Sequence, residues 1–122
     1  MIEGRINDRY EPVITIRVSD PGGKQIEVDA VVDTGFNGFL CLPQEVVESL
    51  QMPYLYSRTA RMADDQDRNM RLHQAEVVWD GQVRTVEAHA SGATALVGMQ
   101  LMTDHRLEMD IKIGGAVRIH GH

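Results

Sequence analysis

The chain has 122 residues, of which 43% are apolar and 25% are charged. That length accommodates one domain with a hydrophobic core but not two ordinary ones, and the composition excludes wholesale disorder and the fibrous classes. The formal net charge of -6, without any run of Lys and Arg, argues against a nucleic-acid partner.

Signal and cysteine patterns bear on where the protein works. The first residues contain no apolar core of a signal peptide, and no stretch approaches the length of a membrane span. The single cysteine, Cys41, cannot form an internal disulfide, which is typical of a reducing compartment. It lies within an apolar run, so we expect a buried, unreactive thiol. These features predict a cytoplasmic protein with no membrane partner.

The first predicted elements are a β-hairpin and a short helix. Residues 13–18 and 27–32 are rich in β-branched side chains and flank a turn sequence with Pro and two Gly. Residues 39–43 resume as a short strand. Residues 43–52 place apolar side chains at helical spacing, with Pro43 at the first helical position, so we expect a short amphipathic helix there.

The middle of the chain predicts three further strands, at residues 57–63, 70–79 and 82–90. The last two are separated by Asp80 and Gly81, a pair that suits the positive φ angles of a type I′ hairpin turn. The first two are separated by a longer polar loop, Asp-Asp-Gln-Asp-Arg-Asn.

The end of the chain predicts a strand and a hairpin. Residues 94–98 form an apolar strand that Gly98 closes, and a short helix through Asp104 is expected after it. Residues 107–119 alternate apolar and charged side chains around a Gly-Gly turn, so we expect a C-terminal hairpin that includes Ile111 and Ile113. Seven or more short strands with little helix indicate an all-β barrel or sandwich.

Asp33, Thr34 and Gly35 follow an apolar strand directly. A carboxylate in this position can simply cap its own backbone in an Asx-type turn. Taken alone, the tripeptide favours this structural role as much as a catalytic one.

The surroundings of the tripeptide resemble the active-site loop of the aspartic peptidases. The resemblance rests on the sequence Val-Val-Asp-Thr-Gly-Phe-Asn-Gly-Phe-Leu-Cys-Leu-Pro at 31–43, and on Leu96, Val97 and Gly98, which match the family's second signature of two apolar residues and a glycine. Residues 58–72 lie where the family places a β-hairpin flap. The chain has only one aspartate motif, so it is most similar to the retroviral-type (retropepsin-like) branch, and within it to small bacterial-type members.

The resemblance implies a fold and a division of the chain. The implied fold is all-β, a single-lobe acid-protease (retropepsin-like) β-barrel with one or two short helices, completed by homodimerisation. The implied parts of a single domain at 1–122 are an N-terminal hairpin, an aspartate loop at 33–35, a flap at about 58–72, a crossing strand at 94–98 and a C-terminal hairpin at 107–119. The apolar edge of that last hairpin would find its partner in a second copy.

The resemblance also implies functional residues, a peptide or protein substrate, and neither metal nor other cofactor. The implied catalytic residues are Asp33, Thr34 and Gly35. The implied substrate-binding residues surround the cleft: Phe36, Asn37, Gly38, Ala63, Asp64, Asp65, Val97 and Gly98.

Two departures from the retroviral pattern concern the same contact. Retroviral enzymes have Ala and Asp after Asp-Thr-Gly, where this chain has Phe36 and Asn37, and they have Arg after the second signature, where this chain has Met99. That Asp and Arg form an ion pair in the family, so both partners have been replaced together. The flap tip also lacks the family's glycines and is acidic instead.

Two other functions compete with an aspartic endopeptidase. A non-catalytic dimeric β-barrel that binds peptides or proteins could keep the same fold, although such a module has no need of a costly buried carboxylate pair. A metal-dependent hydrolase is less favoured, because the five histidines lack His-Glu-x-x-His spacing. The sequence therefore predicts an aspartic endopeptidase with Asp33 as its catalytic carboxylate.

Overall fold

The computed structural model describes residues 1–61 and 64–121, without the side chain of residue 60. Most of these residues lie in strands, and the helical part is short. In chain order the elements are β1 (Ile2–Ile6), β2 (Pro12–Ser19), β3 (Gln25–Val32), β4 (Leu40–Leu42), α1 (Gln44–Ser49), β5 (Tyr54–Arg61), β6 (Asp67–Trp79), β7 (Gln82–Ala90), β8 (Ala95–Val97), β9 (His105–Met109) and β10 (Ala116–Gly121).

Six of the strands close into a barrel. Neighbouring strands follow the order β6, β7, β4, β8, β3 and β2, and a pairing between β2 and β6 completes the ring. Strand β5 extends the sheet beyond β6, while β1, β10 and β9 extend it beyond β2. The predicted all-β, single-lobe barrel is therefore confirmed.

The barrel is filled by the apolar side of each alternating strand. In β2, Ile14, Ile16 and Val18 are buried while the residues between them are exposed, as a strand with one face toward the core requires. The three residues of β4 are all buried. The core also takes residues from later strands, among them Ala75, Val77, Trp79, Val86, Ala88, Val97, Val117 and Ile119.

Strand β1 is an element that the sequence interpretation missed. Its burial alternates, with Ile6 buried and Glu3 and Arg5 exposed. Gly4 allows the close approach to β2, since a Cβ there would overlap the carbonyl oxygen of Val13. Pairing with β10 on the other side fixes this segment in the sheet.

The helix predictions are confirmed in one place and wrong in another. Helix α1 forms and buries Val47, but Pro43 is its N-cap, with ψ at 143°, and is not the first helical residue. The expected short helix through Asp104 is a series of turns, in which the amide of Met102 donates to the carbonyl of Met99. Such three-residue spacing in the hydrogen bonds continues to His105 and never becomes an α-helix.

The C-terminal hairpin forms with different bounds. Strand β9 ends at Met109 and pairs with β10 so that Leu107 faces Ile119. The expectation that Ile111 and Ile113 continue the strand is wrong, because both lie in the connecting turn and are 66% and 57% exposed. The turn is held to the amino-terminal strand instead, through hydrogen bonds between Ile6 and the Gly-Gly pair.

The central hairpins agree with the prediction: β7 has the predicted bounds, and β5 and β6 begin earlier than predicted. Strands β6 and β7 meet at Asp80 and Gly81, whose φ angles of 51° and 83° fit the predicted type I′ turn. Strand β6 begins at Asp67, earlier than expected, and pairs with β5 as far as Arg61. Within the described residues, no helix is long and apolar enough to cross a membrane.

Candidate active site

Asp33 directly follows β3, a strand with neighbours on both sides in the barrel. Strand β3 ends one residue earlier and lies between β2 and the parallel strand β8, with Val32 beside Val97. The amide of Asp33 donates to the carbonyl of Val97 at 2.9 Å. Because β3 and β8 are parallel, their carboxyl ends meet at the same edge, which brings Gly98 beside the aspartate turn.

The turn itself orients the carboxylate. The amide of Gly35 donates to Asp33 Oδ1 at 2.9 Å, and the amide of Phe36 donates to the Asp33 carbonyl at 3.1 Å. Asp33 is half-buried, while Thr34 and Gly35 are exposed. The Asx-type contact of the structural interpretation is therefore present, and it leaves the side chains of Asp33 and Thr34 on accessible surface.

The segment after β8 is bonded to the backbone of residues 36–39. The amide of Gly98 donates to the Phe39 carbonyl at 2.9 Å, and the amide of Met99 donates to the Phe36 carbonyl at 2.9 Å. Both Gly98 and Gly38 are buried, and a Cβ on Gly98 would overlap the Gly38 carbonyl oxygen. Glycine is needed at position 98 because two backbone segments cross in contact there.

The ring of Phe36 occupies the space that these glycines leave. A Cβ on Gly98 would lie 2.7 Å from Phe36 Cδ2, and one on Gly38 would lie 2.7 Å from Phe36 Cζ. The same ring packs at 89° against His89, with ring centroids 5.2 Å apart. Phe36 was predicted to bind substrate, and in this structure its ring contacts the protein's own loop.

His89 is a buried group that the sequence interpretation did not assign to the site. Its side chain is 6% exposed. Burial, together with the Arg58 guanidinium, lowers the pKa of His89 from 6.5, and Glu87 opposes this shift. The lowered pKa indicates a neutral imidazole behind the aspartate loop at neutral pH. No sequence signal marked it, since β7 pairs with β4 only in the folded barrel.

Gln100, two positions after Gly98, adds a further contact to the loop that is not ionic. Gln100 Nε2 donates to the Asn37 carbonyl at 2.7 Å, and the Gln100 amide donates to the Gly38 carbonyl at 3.1 Å. Met99 between them is 48% exposed. Gln100 was not singled out from the sequence, because a lone glutamine after an apolar strand carries no motif.

The predicted flap residues lie on a separate hairpin. Asp64 and Asp65 are exposed in the turn between β5 and β6, where Asp64 Oδ1 accepts a hydrogen bond from the Gln66 amide at 3.1 Å. Ala63 falls outside the described residues. In the part of the chain that the structure describes, no hydrogen bond joins this turn to Asp33.

Other candidate chemistry is limited. Cys41 is buried, its thiol approaches the Ser91 carbonyl at 3.5 Å, and burial raises its pKa, as expected of an unreactive thiol. Among the described residues, no group of three or more His, Cys, Asp or Glu side chains is arranged to hold a metal ion.

Comparisons with known proteins place the fold. Neither a scan of protein-family models nor a search of curated proteins found a match. Among solved structures, a retropepsin-like aspartic protease from Rickettsia conorii aligns with a TM-score of 0.61 and 17% identity, over 98% of this chain and 89% of that one. EIAV protease in complex with the inhibitor HBY-793 aligns with a TM-score of 0.54 and 12% identity, over 80% of this chain and 90% of that one. The chain therefore has the retropepsin-like fold.

Proposed function

We propose that this chain is an aspartic endopeptidase that works as a homodimer, with Asp33 of each subunit in one active site. The observation that carries the proposal is the position of Asp33, directly after the central strand β3 of a retropepsin-like barrel, with its carboxylate oriented by the Gly35 amide. Because the structural neighbours have low sequence identity, the proposed activity rests on the chemistry of the site and not on the similarity of fold.

The need for a second subunit follows from the chemistry. Hydrolysis without a covalent intermediate requires one group to take a proton from water and another to protonate the substrate carbonyl and then the leaving amine. Two carboxylates in contact perform both tasks, because like charges so close retain one proton between them, as is general for aspartic proteases. The chain supplies one Asp-Thr-Gly motif, so the second carboxylate comes from another copy.

In the proposed reaction the ionised Asp33 takes a proton from water while the water oxygen bonds to the peptide carbonyl carbon. The protonated Asp33 of the other subunit donates its proton to the carbonyl oxygen, which gives a neutral gem-diol. Return of a proton to the amide nitrogen allows the C–N bond to break, leaving a carboxyl group and an amine. The two apparent pKa values of such a pair belong to the pair as a whole.

The other predicted residues have supporting roles in this proposal. Thr34 is exposed beside Asp33 and would hydrogen-bond to the opposite loop across the twofold axis. The hairpin of β5 and β6, with Asp64 and Asp65 at its turn, would cover a bound peptide. Asn37 is exposed at the edge of the same loop and would contact the substrate backbone.

Cleavage of a diverse peptide library, scanned from acid to neutral pH, tests the proposal. We expect Asp33→Asn to lower the cleavage rate by roughly 10³-fold or more, because an amide can neither accept nor donate the required proton. Asp29→Asn is the matched control, since Asp29 lies on the same strand, is exposed and accepts its hydrogen bond from Thr15. A folded wild-type dimer that cleaves nothing would instead favour the peptide-binding module.

A further inference from the structure

Gln100 donates hydrogen bonds to two consecutive residues that follow Asp-Thr-Gly, Asn37 and Gly38. Its side-chain amide donates to the Asn37 carbonyl at 2.7 Å, and its backbone amide donates to the Gly38 carbonyl at 3.1 Å. The first of these is a side-chain hydrogen bond across 63 positions of sequence, so it is a tertiary contact and not local turn geometry. Gln100 is itself exposed, which means that the contact contributes little to the hydrophobic core.

The position of the accepted carbonyl links this contact to the carboxylate. Asn37 lies two residues after Gly35, whose amide binds Asp33 Oδ1. The intervening Phe36 is already held, through its carbonyl to the Met99 amide and through its ring against His89. Fixing the carbonyl at Asn37 therefore restricts the far end of the same short turn that orients Asp33.

The contact is also neutral. Within the described residues, no ion pair involves the aspartate loop or residues 98–100. A primary amide donor keeps its hydrogens across the acid and neutral pH range, whereas a carboxylate in an ion pair would be protonated in acid. A loop held in this way keeps its hydrogen bond at acid pH.

We propose that Gln100 is a positioning residue, whose side-chain amide fixes the loop after Asp-Thr-Gly so that Asp33 meets its counterpart in the productive geometry. The inference rests on the proposed function. A single hydrogen bond to an exposed carbonyl adds little to stability, but small displacements of a reacting group lower the rate strongly. Loss of the Gln100 amide should thus reduce turnover far more than folding.

Three variants separate positioning from general damage. Gln100→Met keeps the length of the side chain and removes the donor, whereas Gln100→Lys restores a donor that can reach the same carbonyl. Gln44→Met is the matched control, because Gln44 Nε2 donates to Glu48 Oε1 at 3.2 Å on the exposed side of helix α1. Both positions of change are on the surface, so the three variants should fold.

Steady-state kinetics on a cleaved peptide give the first readout. We expect Gln100→Met to lower kcat roughly 10-fold, with KM changed by less than about threefold, and Gln100→Lys to stay within about threefold of wild type. Gln44→Met should match wild type. The proposal is overturned if Gln100→Met has wild-type kcat, or if Gln100→Lys is as slow as Gln100→Met.

Amide hydrogen exchange gives a second readout that does not depend on activity. In Gln100→Met, the amides of Gly98, Met99 and Gln100 should exchange roughly 2- to 10-fold faster than in wild type, as expected for the loss of one neutral hydrogen bond. In Gln100→Lys and Gln44→Met they should not. Unchanged exchange in Gln100→Met would overturn the proposal, whether or not the protein cleaves peptides. A wild-type protein that cleaves no peptide would separately refute the proposed function.

Discussion

The aspartate loop and the β5–β6 hairpin are both parts of the proposed cleft, but the chain holds them in different ways. The loop is bonded from several directions: Asp33 to Val97, Gly98 to Phe39, and Gln100 to Asn37. The hairpin extends from the barrel, and in the part of the chain that the structure describes β5 pairs only with β6. Its residues from Tyr54 to Thr59 are all exposed.

The difference matches what each part must do in the proposed enzyme. A carboxylate that transfers protons must be held within a fraction of an ångström, which requires hydrogen bonds and close packing around it. A cover over a peptide must open and close, which requires a segment with few buried apolar contacts and low local stability. Changes near the loop should therefore be costly, and changes on the hairpin should be mild.

The largest effect on stability is expected where the backbone segments around Gly98 and Gly38 cross. In Gly98→Ala the new methyl group would overlap the Gly38 carbonyl oxygen and lie 2.7 Å from Phe36 Cδ2. We expect the free energy of unfolding to fall by about 1 to 3 kcal/mol, the typical cost of inserting a methyl group into a filled space. Urea unfolding followed by circular dichroism measures this change.

Gly22→Ala is the control for that substitution. A Cβ on Gly22 would meet its nearest atom, Asp20 Oδ1, at 3.4 Å, and the residue lies in the exposed turn between β2 and β3. Its unfolding free energy should stay within about 0.5 kcal/mol of wild type. Equal losses in the two variants would mean that the crossing at position 98 is not tightly packed.

The sequence predicted the aspartate turn from local chemistry, because Asp33 and Gly35 directly follow an apolar strand. The crossing strand at 94–98 was implied only by the family resemblance. The sequence could not predict His89 or Gln100, since their contacts depend on which distant strands become neighbours. Pairing of β7 with β4, and the hydrogen bonds of Gln100 to Asn37 and Gly38, are visible only in the folded chain.

The errors at the two ends of the chain have the same origin. Strand β1 forms because β10 and β2 provide hydrogen-bonding partners on both sides, which no local pattern indicates. Ile111 and Ile113 continue an alternating pattern, but the hydrogen bonds of their neighbours to Ile6 turn the chain before it can extend β9. In both cases tertiary pairing overrides a local preference.

The buried histidines should make stability fall in mild acid. Burial lowers the pKa of both His73, beside Arg71, and His89, from an unfolded value of 6.5. Their stabilising contribution is therefore complete above about pH 6.5 and is lost as the pH falls toward the folded pKa. The slope is at most about 1.4 kcal/mol per pH unit for each histidine.

Urea unfolding of wild type and His89→Gln between pH 7.5 and pH 5 measures this effect. The variant should be less stable than wild type at pH 7.5, because His89 packs against Phe36, but it should lose less stability on acidification. If both proteins lose the same amount, protonation of His89 does not oppose folding.

The smallest effect is expected on the hairpin. Arg61 and Asp67 form an ion pair at 3.4 Å near its turn, with side chains 67% and 56% exposed. We expect Arg61→Ala to change the free energy of unfolding by less than about 0.5 kcal/mol, because exposed pairs are screened by water and salt. A loss comparable to that of Gly98→Ala would show that the hairpin is as tightly held as the loop, and would remove the contrast between them.

Mixing subunits measures whether each active site uses Asp33 from two chains. Wild-type protein would be dissociated and reassociated with a tenfold excess of Asp33→Asn chains, and cleavage measured per wild-type chain. If subunits pair at random and mixed dimers are inactive, activity should fall to about one tenth. Asp29→Asn chains in the same excess should add activity in proportion to their amount. Undiminished cleavage in the presence of excess Asp33→Asn would mean that one chain forms a complete site and that the proposed shared site is wrong.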